Sequence, residues 1–252
     1  MRIDILDKLS RKGNIFTFDD AYRVSNINRS ILKVLLSRLE KQGWIERIEK
    51  GKYIIIPLGA KKTAYTLNEF IIASILVQPS AISYWSALNY HGFTEQIPNT
   101  VFIQTIARKK YQEKKIFGIK YKVVRIVEKK FFGLQQEIIE DSKINLTDRE
   151  KTIADCLDKP QYCGGIIEVA KAIKSKNYDL DRLLEYAKKI GNTGVIRRLG
   201  YLLGLYKIPS NITPVATRNY LYLNPGFIKN GKKESKWKLV INLDERELIN
   251  LE

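Results

Sequence analysis

Asn28, Arg29, Ser30, Lys33, Ser37, Arg38 and Lys41 recur along one short stretch of a 252-residue chain. Their spacing leaves one side of a helix polar and basic. Arginine presents a planar fork that suits guanine, asparagine pairs in the same bidentate way with adenine, and serine and lysine suit phosphates or several bases. An Asn-Arg-Ser cluster at the head of such a helix stands where major-groove helices meet base edges. Arg47, Lys50 and Lys52 follow around Glu49-Lys50-Gly51, where they would lie near the adjacent backbone or minor groove. If about four to six of these cations neutralise phosphates, log K falls against log salt with a slope of about −4 to −5.

The elements that must carry these residues are legible in order. Ile3, Ile5, Leu6 and Leu9 form a short amphipathic helix that stops at Lys12-Gly13. Thr17 and Asp20 make a capping signature for a helix over Phe18–Val24, and Ser25–Ile27 make a turn. Asn28 caps a third helix, Arg29 to Gln42, whose core stripe reads Ile31, Leu32, Leu35, Leu36 and Leu39. Gly43 occupies the left-handed position after it, and Trp44 folds back onto Leu39. Trp44–Ile48, the turn at Glu49-Lys50-Gly51, and Lys52–Ile56 read as a β-hairpin. Three short helices and a hairpin are the order of a winged helix-turn-helix. Such domains also serve as plain protein-interaction modules, but the basic face favours DNA.

Pro57-Leu58-Gly59 ends the wing strand, Ala60–Thr63 is a short basic link, and beyond it the pattern is mixed α+β. Thr66 and Glu69 form a capping box with Tyr65 stapled to Phe70, opening a helix over Leu67–Val77. Ser80 after Pro79 starts a helix over Ala81–Tyr90, closed by His91-Gly92, and Val101–Ile106 is a strand. Lys114–Phe117 and Ile119–Val127 form a hairpin around Gly118, with Lys120 and Lys122 on one face and Ile119, Tyr121 and Val123 on the other. Thr147-Asp148-Arg149-Glu150 is a second capping box, leading a helix to Asp158. Helices follow at Ile166–Ser175, Leu180–Ile190 (capped by Asp179, with Gly191 after it) and Thr193–Tyr206, the last with Val195, Ile196, Leu199, Leu202 and Leu203 inward. The end is β-like: Tyr220–Leu223, a turn at Asn224-Pro225-Gly226, a Gly231-Lys232-Lys233 loop, and Trp237–Leu243. The expected division is a winged helix over residues 1–60 and an α+β domain over 61–252.

Catalytic candidates are sparse. A nucleophile–histidine site would rest on His91, the chain's one histidine, whose place before Gly92 suits bonding of terminal carbonyls. Cys156 and Cys163 are too few for a structural zinc site and read as buried small apolar residues. Glu150, Asp155 and Asp158 would be the carboxylates of a magnesium-dependent nuclease, the alternative function, but Glu150 is already explained by the capping box. Gly164-Gly165 lacks the Lys-Ser/Thr of a P-loop. The reading is a non-enzyme with no catalytic residue, metal or cofactor.

Composition narrows the class further. The chain is 44% hydrophobic and 28% charged, with a formal net charge of +17. Apolar runs such as Phe70–Val77 stop short of the roughly 18 residues of a membrane span, and Met1–Leu6 has no apolar signal core. A cytoplasmic protein with no membrane partner is expected. A folded basic protein of this kind most often meets nucleic acid. The excess is densest between Arg108 and Lys130, where Arg108, Lys109, Lys110, Lys114, Lys115, Lys120, Lys122, Arg125, Lys129 and Lys130 interleave with Tyr111, Phe117, Tyr121, Phe131 and Phe132. That pattern puts a row of cations on one sheet face. It is either a second surface for DNA, RNA or a toxin, or a polar face whose lysines guard a sheet edge.

Several segments together resemble the AbiEi antitoxins, predicted transcriptional regulators of a viral defence system. They are LLSRLEKQGWIERIEKGKYIIIP (Leu35–Pro57), AISYWSALNYHGFTEQIP (Ala81–Pro98), REKTIADCLDKPQYCGG (Arg149–Gly165), IRRLGYLL (Ile196–Leu203), and the tail Tyr222–Gly226 with Trp237–Asn242. Ser83, Trp85, Asn89 and His91 match one block, and Arg149, Glu150, Asp155 and Asp158 another. The resemblance implies a prokaryotic antitoxin with a winged-helix N-terminal domain and an antitoxicity C-terminal domain. It implies a repressor binding inverted repeats in its own promoter as two copies on half-sites, and counteracting a cognate nucleotidyltransferase toxin in phage defence. In the type IV arrangement, direct contact with the toxin is not required.

Overall fold

A computed structural model describes residues 2–11, 13–56, 68–109, 111–140 and 142–251. The chain divides into two compact units: Met1–Ile72 with Ile116–Gly118 and Ile138–Lys143, and Ala73–Lys115 with Ile119–Glu137 and Ile144–Glu252.

The first unit holds α1 (Arg2–Ser10), β1 (Ile15–Thr17), α2 (Phe18–Ser25), α3 (Arg29–Lys41), β2 (Ile45–Glu49) and β3 (Lys52–Ile55), the order of a winged helix-turn-helix. Both capping signatures form. Thr17 N donates to Asp20 at 2.9 Å and Asp20 N donates to Thr17 Oγ1 at 3.1 Å, while Asn28 Oδ1 accepts from Ser30 N at 2.9 Å. Gly43 adopts φ +79°, a left-handed turn that lets Trp44 N donate to Leu39 O at 3.0 Å. Leu9, Phe16, Ala21, Leu32, Leu36, Leu39 and Ile45 close one core, each large apolar side chain contributing about 1.5–3 kcal/mol by burial.

Two expectations are corrected in this unit. Ile31 does not belong to the core stripe: it is 61% exposed, with Val34 at 52%. The buried line is Leu32, Leu36 and Leu39 at i, i+4 and i+7, with Leu35 half-buried, and Ile31 lies about 100° off it. The hairpin also has a third strand. Strand β1 pairs antiparallel with β3, giving the order β1-β3-β2; three residues are too few for a readable period, so only the partner reveals them.

The Pro57-Leu58-Gly59 strand end, the Ala60–Thr63 link and the Tyr65 and Thr66 signals lie outside the described residues. Helix α4 (Glu69–Leu76) has Asn68 Oδ1 accepting from Phe70 N at 2.9 Å. Next come β4 (Ser80–Ile82), α5 (Tyr84–Tyr90), β5 (Thr100–Thr105), β6 (Glu113–Ile116), β7 (Ile119–Arg125), β8 (Leu134–Ile139) and β9 (Ser142–Thr147). They make a six-stranded mixed sheet in the order β6-β7-β5-β4-β9-β8, with β5–β7 and β4–β9 parallel. Helices α6 (Arg149–Asp158), α7 (Ile166–Ser175), α8 (Leu180–Ile190) and α9 (Thr193–Leu205) follow. Strands β10 (Leu221–Tyr222), β11 (Lys232–Glu234) and β12 (Leu239–Ile241) form a small sheet, and α10 (Glu245–Ile249) ends the fold. Phe102 and Val124 of the large sheet, with Ile126 just after β7, meet Ile153, Leu157 and Leu199 of the helices in one core.

Here too, local reading gives way to pairing. Ser80–Ile82 is a central strand rather than the start of a helix, because β5 and β9 flank it on both sides; the helix begins at Tyr84. Thr147 does not cap α6. It ends β9, its hydroxyl 2.7 Å from that of Thr152, and Asp148 takes the cap position, accepting from Lys151 N at 2.7 Å. Lys232 and Lys233 are not loop but strand, paired antiparallel with β12.

Candidate nucleic-acid interface

Helix α3 and the wing β2–β3 enclose an open groove of about 700 Å³. Its helix side is lined by Arg29, Lys33, Ser37 and Glu40 and its wing side by Arg47, Lys50, Gly51 and Tyr53. Asn28, Arg29, Ser30, Lys33, Ser37, Arg38 and Lys41 are all exposed, as are Arg47 and Lys50. Lys33, Arg38, Lys41 and Lys50 have no ion pair among the described residues. The wing is held by Phe18 N donating to Gly51 O at 2.8 Å, and a bulge between Arg47 and Glu49 shapes its tip.

The exposed residues are not equally free. Arg29 is tied to Asp19 by an ion pair and sits 4.9 Å from the Tyr22 ring centre and 5.5 Å from that of Phe18. The Asp19 hydrogen bond raises its pKa further. Asn28 Oδ1 is spent on Ser30, accepting from its N at 2.9 Å and its Oγ at 2.8 Å. Lys52 pairs with Glu49 at 3.2 Å, and Arg47 Nε donates to Glu49 O at 3.3 Å. The two residue types with the most specific base chemistry are thus held by the protein, while Lys33 and Lys50 line the groove and Arg38 and Lys41 are exposed elsewhere on α3.

The basic segment of the second unit differs from a bare row of cations. Lys120 and Lys122 do share a face, but Glu113 on the edge strand β6 takes both, at 2.9 and 2.6 Å, and they pull its carboxyl down to about 2. Lys109 donates to Leu76 O and stands over the Tyr111 ring, as does Lys114. Lys130 pairs with Asp158 at 2.7 Å. Arg108, Lys115, Arg125 and Lys129 are exposed, and Lys110 lies outside the described residues. Glu113 and Asp158 thus offset part of the charge of this surface.

The carboxylates do not converge on an ion. Glu150 is 5% exposed and accepts from Asp179 N at 2.7 Å, which corrects its assignment to a capping box. Asp155 forms a buried ion pair with Lys151, which stands 5.0 Å from the Phe132 ring centre. Burial raises the Asp155 pKa in spite of that lysine. Asp158 takes Lys130 and, at 2.6 Å, Asn192. Among the described residues no three potential metal ligands cluster. His91 does not bond the end of its own helix: Nε2 donates to Thr147 O at 2.7 Å, and burial lowers its pKa. Cys156 and Cys163 are free and fully buried.

The two sequence blocks beginning near Ser83 and Arg149 pack on each other. Arg149 Nη1 donates to His91 O at 3.3 Å and its guanidinium lies over Phe93. Gly164 adopts φ +75° under Trp85, where a Cβ would come within 3.0 Å of the indole. The sequence reading missed Arg197 and Arg198, 2% and 5% exposed. Arg197 donates to the carbonyls of Trp237 (2.8 Å), Asn219 (2.7 Å) and Lys238, and Arg198 to those of Leu223, Leu157 and Tyr222. Burial brings Arg198 down to about 10. Two adjacent arginines amid the apolar residues of α9 were the available signal, and they fasten the small sheet to that helix.

No helix of the described residues is long and apolar enough to cross a membrane. A comparison with curated proteins returns no match. Residues 4–56, the winged-helix part of the chain, match the family model described as transcriptional regulator, AbiEi antitoxin, which supports an AbiEi-family antitoxin.

Proposed function

We propose that this regulator is a non-enzymatic repressor that binds duplex DNA through α3 and the wing and autoregulates its own operon in the cytoplasm. The observation that carries the reading is the set of exposed cations in a winged-helix domain: Lys33, Arg47 and Lys50 line the groove between α3 and the wing, and Arg38 and Lys41 stand exposed elsewhere on α3. A duplex presents phosphates on both rims of its major groove, and cations on both flanks of one helix suit that geometry. No acidic residue stands in the first turn of α3, so its N-terminal dipole also favours phosphate. Two copies on the half-sites of an inverted repeat would occlude the promoter. The antitoxin description of the family supports a cognate nucleotidyltransferase toxin as the counterpart. The test is a gel shift of the chain's own upstream fragment across a salt series. Retention with a log–log slope of about −4 to −5 supports the proposal; no salt-sensitive retention overturns it.

A further inference from the structure

The middle of α3 is not cationic. At 100° per residue, the line opposite the buried Leu32, Leu36 and Leu39 runs through Ser30, Val34, Ser37 and Lys41. Val34 is 52% exposed, and Ile31, one turn before it and on the Arg38 side of that line, is 61% exposed. Cations stand on both flanks: Lys33, with Arg47 and Lys50 of the wing, on one side, and Arg38 on the other. The face that would enter a groove deepest is therefore neutral and partly apolar along Ser30, Val34 and Ser37, with Lys41 at its C-terminal end. Asn28 and Arg29, the residues suited to hydrogen-bonding adenine or guanine, are already engaged by Ser30 and Asp19.

An occupant that fits has anionic rims and an apolar centre. The major groove over thymine has both: phosphates at the edges and the C5-methyl group within, the base feature that apolar side chains read. We infer that Ile31 and Val34 are the specificity-determining pair of this helix and recognise thymine methyl groups. This rests on the DNA-binding reading above and adds the base it selects. Lys33 and Arg38 set affinity; Ile31 and Val34 set which sequence is preferred.

The experiment separates the two levels. The full chain selects duplexes from a random pool, and an enriched duplex is synthesised once with thymine and once with deoxyuracil, which pairs alike but lacks the methyl. The expected result is binding about four-fold weaker for each contacted methyl lost. The double variant Ile31→Ala, Val34→Ala should bind both duplexes alike, near the wild-type affinity for the deoxyuracil form. Equal wild-type affinity for the two duplexes overturns the thymine reading and leaves DNA binding standing. Retention of neither overturns both. Equal affinities together with a self-associated form in sedimentation that the double variant abolishes assign the pair to a second copy of the chain, again against the inference.

Discussion

Helices α3 and α6 start from similar sequence material, an acceptor side chain at the cap and charges scattered among apolar residues, yet they finish as opposites. In α3 only Leu32, Leu36 and Leu39 are buried and the charges face solvent. In α6 all eight residues from Glu150 to Leu157 are buried, including Lys151 and Asp155. Helix α3 has a core on one side only. Helix α6 is packed by α5, α7, α8 and α9, so every charge on it must find a partner inside the protein. A charged residue thus speaks for a ligand in the first helix and for internal architecture in the second.

The comparison is broken most directly at Lys151. Lys151→Met should leave the Asp155 carboxylate buried without its ion pair and cost about 3–5 kcal/mol in urea denaturation. The double variant with Asp155→Leu should recover much of that loss; a single-variant cost below about 1 kcal/mol would remove the distinction between the helices. The matching change on α3 has the reverse signature. Arg38→Ala with Lys41→Ala should leave stability within about 0.5 kcal/mol and make the salt slope of DNA binding shallower by about 2. An unchanged slope would place these cations away from phosphate.

A smaller effect sharpens the buried side. Burial lowers the folded pKa of His91 from the ordinary 6.5. Below pH 6.5 the unfolded chain therefore takes up a proton that the folded chain resists. The contribution of His91 is fully present above 6.5 and declines as pH falls toward the folded pKa. As the chain's one histidine, its imidazole can be titrated alone by NMR, and the midpoint should fall below 6.5. Subtracting the pH profile of His91→Gln from that of the wild type should isolate the decline; a midpoint above 6.5 contradicts the burial argument.

Legibility followed the range of the interactions. The caps at Thr17, Asn28 and Asp179, the leucine line of α3 and the wing were readable because each lies within a few residues of its partner. The surface role of Ile31 was not, since one more apolar residue beside a stripe looks the same in sequence whether or not anything covers it. Ser80–Ile82 carried helix signals but became a strand once β5 and β9 arrived from elsewhere in the chain. The cations of β7 read in sequence as either a docking surface or a guarded sheet edge, and the pairing of Lys120 and Lys122 with Glu113 became visible only in the fold.

The order of local elements, the excess of positive charge and the family blocks belonged to the chain as written, because hydrogen bonds and side-chain periods within one turn or hairpin need no distant partner. Which charges stay in water was decided only by folding. Desolvation depends on what the rest of the molecule brings near each group: Asp155 is pressed onto Lys151, Glu113 closes on Lys120 and Lys122, and Lys33, Arg38 and Lys41 are left facing outward.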